Sequence, residues 1–346
     1  LAGADAGGGF RTAALYWLAR LAEPPGSDRA VELYETVRRE APRDYYARAA
    51  EERLRELGFE PQPIAAGAAA SAGTAAAAAS GSEPERAALP QPDPLTDPGR
   101  RPEPAYRRAV QLAALGLPRL AAAELATVDA EADPALALGR ARLLHRGGDT
   151  WSSIGLLLER FSDQLSPLPL DAAGVPREVW ETLYPFPHQD AVAEAVAAAA
   201  PPGLPFDPWL VATLARRESR FWRWAASPAG AVGVMQLLPE TAARVAGSLG
   251  RDAPGRAALF DPDVNIALGT AELARLVAAF DGEWAPALAG YNAGENVARQ
   301  WWEARPPGQP LDEWIETIPY TETRLYVKWI LGTRPIYQAL YPQAAP

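Results

Sequence analysis

Apolar residues recur at helical spacing in short segments, and no segment shows the alternation expected of a strand. Near the start of the chain, Leu15, Leu18 and Leu21 form one helical stripe, which ends at a Pro-Pro-Gly break. A second stripe begins at Ala30, and further Pro and Gly breaks follow at similar intervals up to about residue 161. The pattern predicts an all-α chain whose N-terminal region consists of helical hairpins, which is typical of a superhelical repeat.

Composition divides the chain into segments. Residues 65–82 are almost entirely Ala, Gly, Ser and Thr, and seven prolines follow between residues 84 and 104. We therefore expect a helical-repeat segment over residues 1–58 and a disordered Ala/Pro-rich linker over residues 59–104. A second helical-repeat segment should follow over residues 105–175, and a separate domain over residues 176–346. Eight of the eleven tryptophans lie after residue 200, which suits a large core or a sugar-binding groove.

Charge and composition exclude several functional classes. A net charge of −10 argues against binding to nucleic acid. The absence of cysteine excludes disulfides and thiol chemistry, and His145 and His188 are too isolated for a metal site or a Ser-His-Asp triad. No apolar run approaches the ~18 residues of a spanning helix, so we expect no stable membrane insertion. We also expect neither a metal nor an organic cofactor.

The single methionine, Met235, shows that Leu1 is not a translation start. We therefore expect the sequence to be either a processed form or an engineered version of the chain, from which any signal peptide has been removed.

Glu218 is the first candidate for a catalytic group. Asp207 and Pro208 are typical of a helix start, and Leu210, Leu214 and Glu218 then fall on one face of that helix. Burial and the negative end of the helix dipole would both raise the pKa of this carboxyl, as a general acid requires. Helical spacing alone equally allows a surface glutamate or one paired with arginine.

Five further motifs follow in order. They are Ser227-Pro-Ala-Gly-Ala-Val-Gly-Val-Met235-Gln236, Pro239-Glu-Thr-Ala242, Asn265-Ile-Ala-Leu-Gly269, Ala289-Gly-Tyr291-Asn292-Ala-Gly294 and Glu316-Thr-Ile-Pro-Tyr-Thr-Glu-Thr-Arg324-Leu-Tyr326-Val327. Together with Glu218-Ser219 they resemble the motifs of the soluble lytic murein transglycosylases of glycoside hydrolase family 23, which share a goose-type lysozyme-like fold. The resemblance covers about residues 176–342, and it extends loosely to the helical superhelix of those enzymes over residues 11–57.

The resemblance implies roles for individual residues. Glu218 matches the family's single catalytic acid. The other matching positions are implied to bind substrate: Ser227, Met235 and Gln236 along the groove, Tyr291 and Asn292 in its wall, Glu316 on the saccharide, and Arg324 and Tyr326 in the same C-terminal motif. The family's tyrosine, matched by Tyr291, helps to hold the acid and the sugar. Purely structural roles stay open, such as a turn cap for Ser227, core packing for Met235 and an ion pair for Arg324.

The implied activity is cleavage of peptidoglycan between N-acetylmuramic acid and N-acetylglucosamine, with 1,6-anhydro-muramic ends as product. The implied partner is therefore the glycan strand, and the implied location is the periplasm. Two alternatives stay open. One is a lysozyme-type muramidase on the same fold, with Asp263 or Glu316 as a second acid, and the other is a non-catalytic helical scaffold or glycan-binding protein. A partner-binding role of the helical repeats also stays open.

Overall fold

The computed structural model describes residues 9–23, 28–62, 89, 95, 103–128, 133–165, 169, 170, 172 and 174–344. Over these residues the regular structure is helical, and extended pairing is limited to two isolated bridges, Ala226 with Val232 and Val232 with Leu237. The all-α prediction is confirmed. The chain divides into two compact units, Leu1–Leu183 and Tyr184–Pro346.

The first unit is two series of short helices, residues 9–56 and 104–183, and in each series neighbours along the chain pack on one another. They are α1 (Gly9–Leu21), α2 (Asp28–Glu40), α3 (Tyr45–Glu56), α4 (Pro104–Ala114), α5 (Pro118–Leu125), α6 (Pro134–Arg146), α7 (Thr150–Leu165) and α8 (Arg177–Leu183). Successive packing of this kind agrees with the predicted helical hairpins.

Helix α1 buries a different face from the predicted one. Leu18 and Leu21 are exposed, whereas Tyr16 is fully buried, with its ring centroid 5.6 Å from that of Tyr34 and 5.3 Å from that of Tyr46. Aromatic side chains bury a large apolar area, so the packing of Tyr16 against two further tyrosines explains why this face of the helix is the buried one.

Most of the predicted linker, residues 59–104, lies outside the described residues, and α4 begins at its last residue, Pro104. The division between the two units falls at Leu183 and Tyr184, after the predicted start of the C-terminal domain at residue 176. The four-segment organisation stays a prediction.

The second unit holds the motifs. Its helices are α9 (Gln189–Ala199), α10 (Pro208–Ser219), α11 (Pro239–Ser248), α12 (Pro262–Ala279), α13 (Trp284–Ala293), α14 (Glu295–Glu303), α15 (Leu311–Thr317) and α16 (Thr321–Leu340). Helices α10 and α13 both pack on α16, and α12 packs on α9, α11 and α13. Among the helices of the described part of the chain, none is long and apolar enough to cross a membrane.

Helix α10 is fixed at its N-terminus by two features of the sequence. The carboxylate of Asp207 accepts a hydrogen bond from the backbone N–H of Leu210, and Pro208 occupies the first turn, where no N–H partner is needed. Arg334 of α16 pairs with the same carboxylate, its Nε lying 2.9 Å from Oδ2. Residues 208–216 are then buried throughout, so the position of the last turn is determined by packing.

Candidate active site

Glu218 lies in the last turn of α10 and is held on two sides. The hydroxyl of Tyr326, on α16, donates to its Oε1 at 2.5 Å. The next residue, Ser219, is buried and donates from Oγ to the carbonyl oxygen of Val234 at 2.6 Å. The candidate acid is therefore fixed both to a neighbouring helix and to the loop that carries the Met235-Gln236 motif.

The environment of Glu218 raises the pKa of its carboxyl to about 7. Burial is the largest cause, because it disfavours the charged form, and the negative charge of Glu322 acts in the same direction. The hydrogen bond from Tyr326 and the positive charge of Arg217 lower the pKa and partly oppose burial. Near neutral pH this carboxyl therefore exists in both protonation states, so it can give a proton and also accept one.

Two tyrosines adjoin the acid and stay protonated. Burial raises the pKa of Tyr291 and Tyr326 well above the ordinary value of 10.0, and the nearby charge of Glu218 raises both further. Tyr291 donates its hydroxyl to the carbonyl oxygen of Met235 at 2.9 Å, so the hydroxyl that contacts Glu218 belongs to Tyr326. Both phenols are therefore neutral, and each already donates its one hydroxyl hydrogen within the protein, Tyr291 to Met235 and Tyr326 to Glu218.

The loop after α10 is organised by one buried amide. Asn265, fully buried on α12, accepts from the backbone N–H of Met235 at 2.7 Å and donates to the carbonyl oxygens of Val232 and Leu259 at 3.0 and 2.9 Å. Gly233 lies against this amide with φ of +81°, and a Cβ there would overlap the Asn265 side chain and the Leu259 carbonyl. These contacts account for the glycine and the asparagine of two separate motifs.

The backbone beside Glu218 adopts unusual dihedral angles. Arg220 and Phe221 have φ of +51° and +62°, and Gln236 has φ of +48°. Such values are uncommon for residues other than glycine, and each costs on the order of 1–3 kcal/mol. The turn that follows Ser219 thus stores strain close to the candidate acid.

The remaining groove residues make local contacts. Ser227 accepts from the backbone N–H of Ala231 at 3.1 Å and so closes a turn. Met235 is fully buried, and its backbone carbonyl oxygen accepts the hydrogen bond from the hydroxyl of Tyr291. Gln236 donates from Nε2 to the carbonyl oxygen of Gly233 at 3.0 Å.

The other matched residues lie on α13, α15 and α16. Asn292 accepts from the hydroxyl of Thr323 at 2.7 Å. Both carboxylate oxygens of Glu316 accept from Nζ of Lys328 at 2.7 Å. Arg324 donates to the carbonyl oxygen of Ile318 at 2.7 Å, across the turn between α15 and α16.

Several residues of the site were not singled out as site residues by the sequence. Arg217 and Glu322 act on Glu218 through charge, Thr323 contacts Asn292, and Lys328 pairs with Glu316. Glu322 and Thr323 belong to the motif that begins at Glu316, and Lys328 follows it directly. This motif was therefore the feature of the sequence from which these three residues could have been found. Within the described residues, no group of three or more His, Cys, Asp or Glu side chains is placed to hold a metal ion.

Comparisons with known proteins point to the same unit. Residues 203–309 match the family described as the transglycosylase SLT domain. The soluble lytic murein transglycosylase of Escherichia coli (strain K12) is 35% identical over 131 residues, which are 37% of this chain and 19% of that protein.

Two solved structures are similar over almost the whole chain. One is an inactive glutamate-to-glutamine mutant of the lytic transglycosylase Slt from Pseudomonas aeruginosa, with 26% identity and a TM-score of 0.67, covering 97% of this chain and 47% of that one. The other is the 70-kDa soluble lytic transglycosylase of Escherichia coli, with 20% identity and a TM-score of 0.64 over 97% of this chain and 47% of that one. At that identity the second similarity speaks for the fold alone.

The chain spans less than half the length of these relatives. The match of residues 203–309 includes the motifs from Glu218 to Gly294, and the motif that begins at Glu316 lies beyond it. The resemblance predicted from the sequence is confirmed: residues 203–309 of the second unit match the transglycosylase SLT domain, and the chain is similar to soluble lytic murein transglycosylases.

Proposed function

We propose that the second unit cleaves the glycan of peptidoglycan between N-acetylmuramic acid and N-acetylglucosamine and leaves 1,6-anhydro-muramic ends. Glu218 is the only catalytic residue in this proposal. The observation that carries it is the partly buried carboxyl of Glu218, whose pKa is raised to about 7 and which Tyr326 holds in one orientation. No organic cofactor or metal takes part in the reaction.

The proposed reaction has two proton transfers through one carboxyl. Protonated Glu218 donates its proton to the glycosidic oxygen, and the bond between that oxygen and C1 of the muramic acid breaks. The C6 hydroxyl of the same sugar attacks C1, and the carboxylate of Glu218 accepts the proton of that hydroxyl. Glu218 ends protonated, as it began, and no water is consumed.

A single carboxyl suffices because the nucleophile is part of the substrate. Ordinary glycosidases use two carboxylates about 5 to 9 Å apart, of which one acts as nucleophile or activates water. A tethered hydroxyl has a high effective concentration, which replaces the contribution of the second group. Tyr291 and Tyr326 stay neutral and donate to Met235 and Glu218, so they hold the site in place and do not remove the proton.

In the Pseudomonas aeruginosa relative a glutamate-to-glutamine mutant is described as inactive, which supports a glutamate as the catalytic group in proteins of this kind. A further solved relative, a 70-kDa soluble lytic transglycosylase, is described as a complex with bulgecin A, which supports a ligand-binding groove in proteins of this kind. The proposed location is the periplasm, where the proposed substrate lies.

We also propose that Ser227, Met235, Gln236, Tyr291, Asn292, Glu316, Arg324 and Tyr326 line or support the saccharide-binding groove. For Met235, Arg324 and Glu316 the observed contacts favour support over direct binding, since Met235 is fully buried and the other two bind an adjacent turn and Lys328.

One observation favours the muramidase alternative. The charge of Glu322 acts on Glu218, so a second carboxylate lies within electrostatic range of the acid. It differs from the two candidates of the sequence analysis, since Glu316 pairs with Lys328 and Asp263 acts on His188. A hydrolase would use such a group to activate water.

Product analysis separates the two reactions. We expect muropeptides released from purified sacculi to carry ends that weigh one water less than reducing ends, that borohydride leaves unreduced and that carry no label after reaction in heavy-oxygen water. Labelled, reducible ends would establish the hydrolase instead. The Glu218→Gln variant is the control and should release neither product.

A further inference from the structure

Two exposed tryptophans follow the candidate acid on the same loop. The side chains of Trp222 and Trp224 are 43% and 56% exposed, although both lie within six residues of Glu218 in the sequence. Indole rings usually bury most of their surface. Two exposed rings, two positions apart on one short loop, therefore offer apolar surface to which a ligand can bind. The proposed reaction assigns no role to either ring.

The loop that carries these rings is held by backbone hydrogen bonds. The backbone N–H of Trp222 donates to the carbonyl oxygen of Ser219 at 3.0 Å, and that of Ala225 donates to the carbonyl of Trp222 at 3.0 Å. The backbone N–H of Gly233 then donates to the carbonyl of Ala225 at 2.9 Å. Because its backbone is fixed, the loop presents its side chains in one arrangement before any ligand arrives, which lowers the entropy cost of binding.

Trp224 belongs to a group of two neighbouring rings with a cation on each side. We name this group the aromatic platform, and its residues are Arg223, Trp224, Phe260 and Arg256. The guanidinium of Arg223 lies 4.7 Å from the centroid of the Trp224 ring and donates from Nε to the Phe260 carbonyl at 3.2 Å. The rings of Trp224 and Phe260 lie 5.5 Å apart, and Arg256 lies 5.9 Å from the Phe260 ring. More than half of Trp224 is exposed despite these contacts.

The platform is joined to the loop that carries the Met235-Gln236 motif. Asn265 donates to the carbonyl of Leu259, next to Phe260, and accepts from the backbone of Met235. Arg256 donates to the carbonyl oxygen of Gly230 at 3.0 Å, within the turn that Ser227 closes. The same buried amide therefore fixes the platform and the loop of the candidate groove in one frame.

We propose that the aromatic platform binds a sugar ring of the same glycan strand, with Trp224 stacking on the ring and Arg223 and Arg256 contacting its polar or carboxylate substituents. A pyranose has an apolar face of C–H groups and a rim of hydroxyls, which matches an exposed indole flanked by guanidinium groups. This inference rests on the proposed function, because a polymeric substrate offers further rings beyond the cleaved bond.

The size of the patch favours a sugar over a protein partner. A tryptophan side chain can bury about 150–250 Å², so the exposed halves of Trp222 and Trp224 offer on the order of 200 Å². A stable protein interface buries about 800 Å² on each partner. One or two sugar rings match this area, and both tryptophans lie within six residues of Glu218 in the sequence.

The test uses the full chain with Glu218→Gln as the parent, so that glycan is bound and not cut. Co-sedimentation with purified sacculi gives the half-saturating concentration. Adding Trp224→Ala should raise it about tenfold, equivalent to about 1.4 kcal/mol. Adding Trp224→Phe, which keeps an aromatic face, should raise the half-saturating concentration less than threefold. A threefold change corresponds to about 0.6 kcal/mol of binding free energy. Leu249→Ala, which removes a 47% exposed leucine of the same unit, is the matched control and should leave binding unchanged.

The two proposals fail in different ways. If the Glu218→Gln parent binds sacculi and Trp224→Ala binds equally well, the platform is no saccharide site, whereas the proposed reaction stands. If the parent itself does not bind sacculi and the unsubstituted chain does not cleave them, both are overturned. A loss with Trp224→Ala that Trp224→Phe restores establishes stacking, because a merely unfolded loop would not be rescued by retaining the ring.

Discussion

Replacing Glu218 by glutamine should stabilise the second unit at alkaline pH. The folded chain raises the pKa of this carboxyl from its ordinary value of 4.5 to about 7, chiefly because burial disfavours the charge. A native state that resists ionisation loses stability as the pH rises through that interval, since the unfolded chain ionises freely. The amide has no charge to gain, so its contribution to stability does not change with pH.

The magnitude follows from the difference between the two pKa values. A difference of about 2.5 corresponds to about 3 kcal/mol, at about 1.36 kcal/mol for each step of one. We expect the free energy of unfolding of the Glu218→Gln variant, relative to that of the unsubstituted chain, to rise by this amount between pH 4 and pH 9. Below pH 4 the carboxyl of Glu218 is neutral in both the folded and the unfolded chain, as the glutamine always is. The advantage of the variant that comes from ionisation therefore disappears there.

Urea unfolding followed by tryptophan fluorescence measures this difference, because eight of the eleven tryptophans belong to the second unit. Glu240→Gln, which removes an exposed carboxylate of the same unit, controls for the loss of one negative charge. If the advantage of Glu218→Gln were the same at pH 4 and pH 9, the carboxyl would not be destabilised by burial. The argument for a protonated acid near neutral pH would then be refuted.

Two further predictions concern the surroundings of the acid. Tyr326→Phe removes the hydrogen bond that favours the charged carboxylate of Glu218. The alkaline limb of the pH profile of kcat/KM should therefore move up by about one pH unit. Tyr320→Phe, which removes a hydroxyl from an exposed tyrosine, is the control and should leave that limb in place. Gly233→Ala should destabilise the chain by about 3 kcal/mol or more in thermal unfolding, because the new Cβ meets Asn265, whereas Gly230→Ala, with φ of +91° but open space, should cost only about 1 kcal/mol.

Local sequence patterns predicted the position of Glu218 well. Asp207 and Pro208 define where α10 begins, and the helical repeat then brings Glu218 to its last turn on the packed side. Both signals act within a few residues, so they can be found without knowledge of the fold.

Contacts between distant segments could not be predicted in this way. Tyr326 reaches Glu218 across 108 positions, and the sequence placed it only within a C-terminal motif. Its hydroxyl meets the carboxyl because α10 and α16 pack together, which depends on the whole unit. On α1 the leucine stripe gave the wrong buried face, because three tyrosines from different helices form a tighter cluster.

The two acids of α10 illustrate how position determines use. At the N-terminus, Asp207 caps the helix and is paired with Arg334, so its charge stabilises the local structure. At the C-terminus, Glu218 faces the negative end of the helix, and Tyr326 and Arg217 compensate only part of the effect of burial. A stronger cation at that point would fix the carboxylate and leave no proton to donate. An acid that must act in both directions near neutral pH therefore needs this incomplete compensation, with a pKa of about 7 as its result.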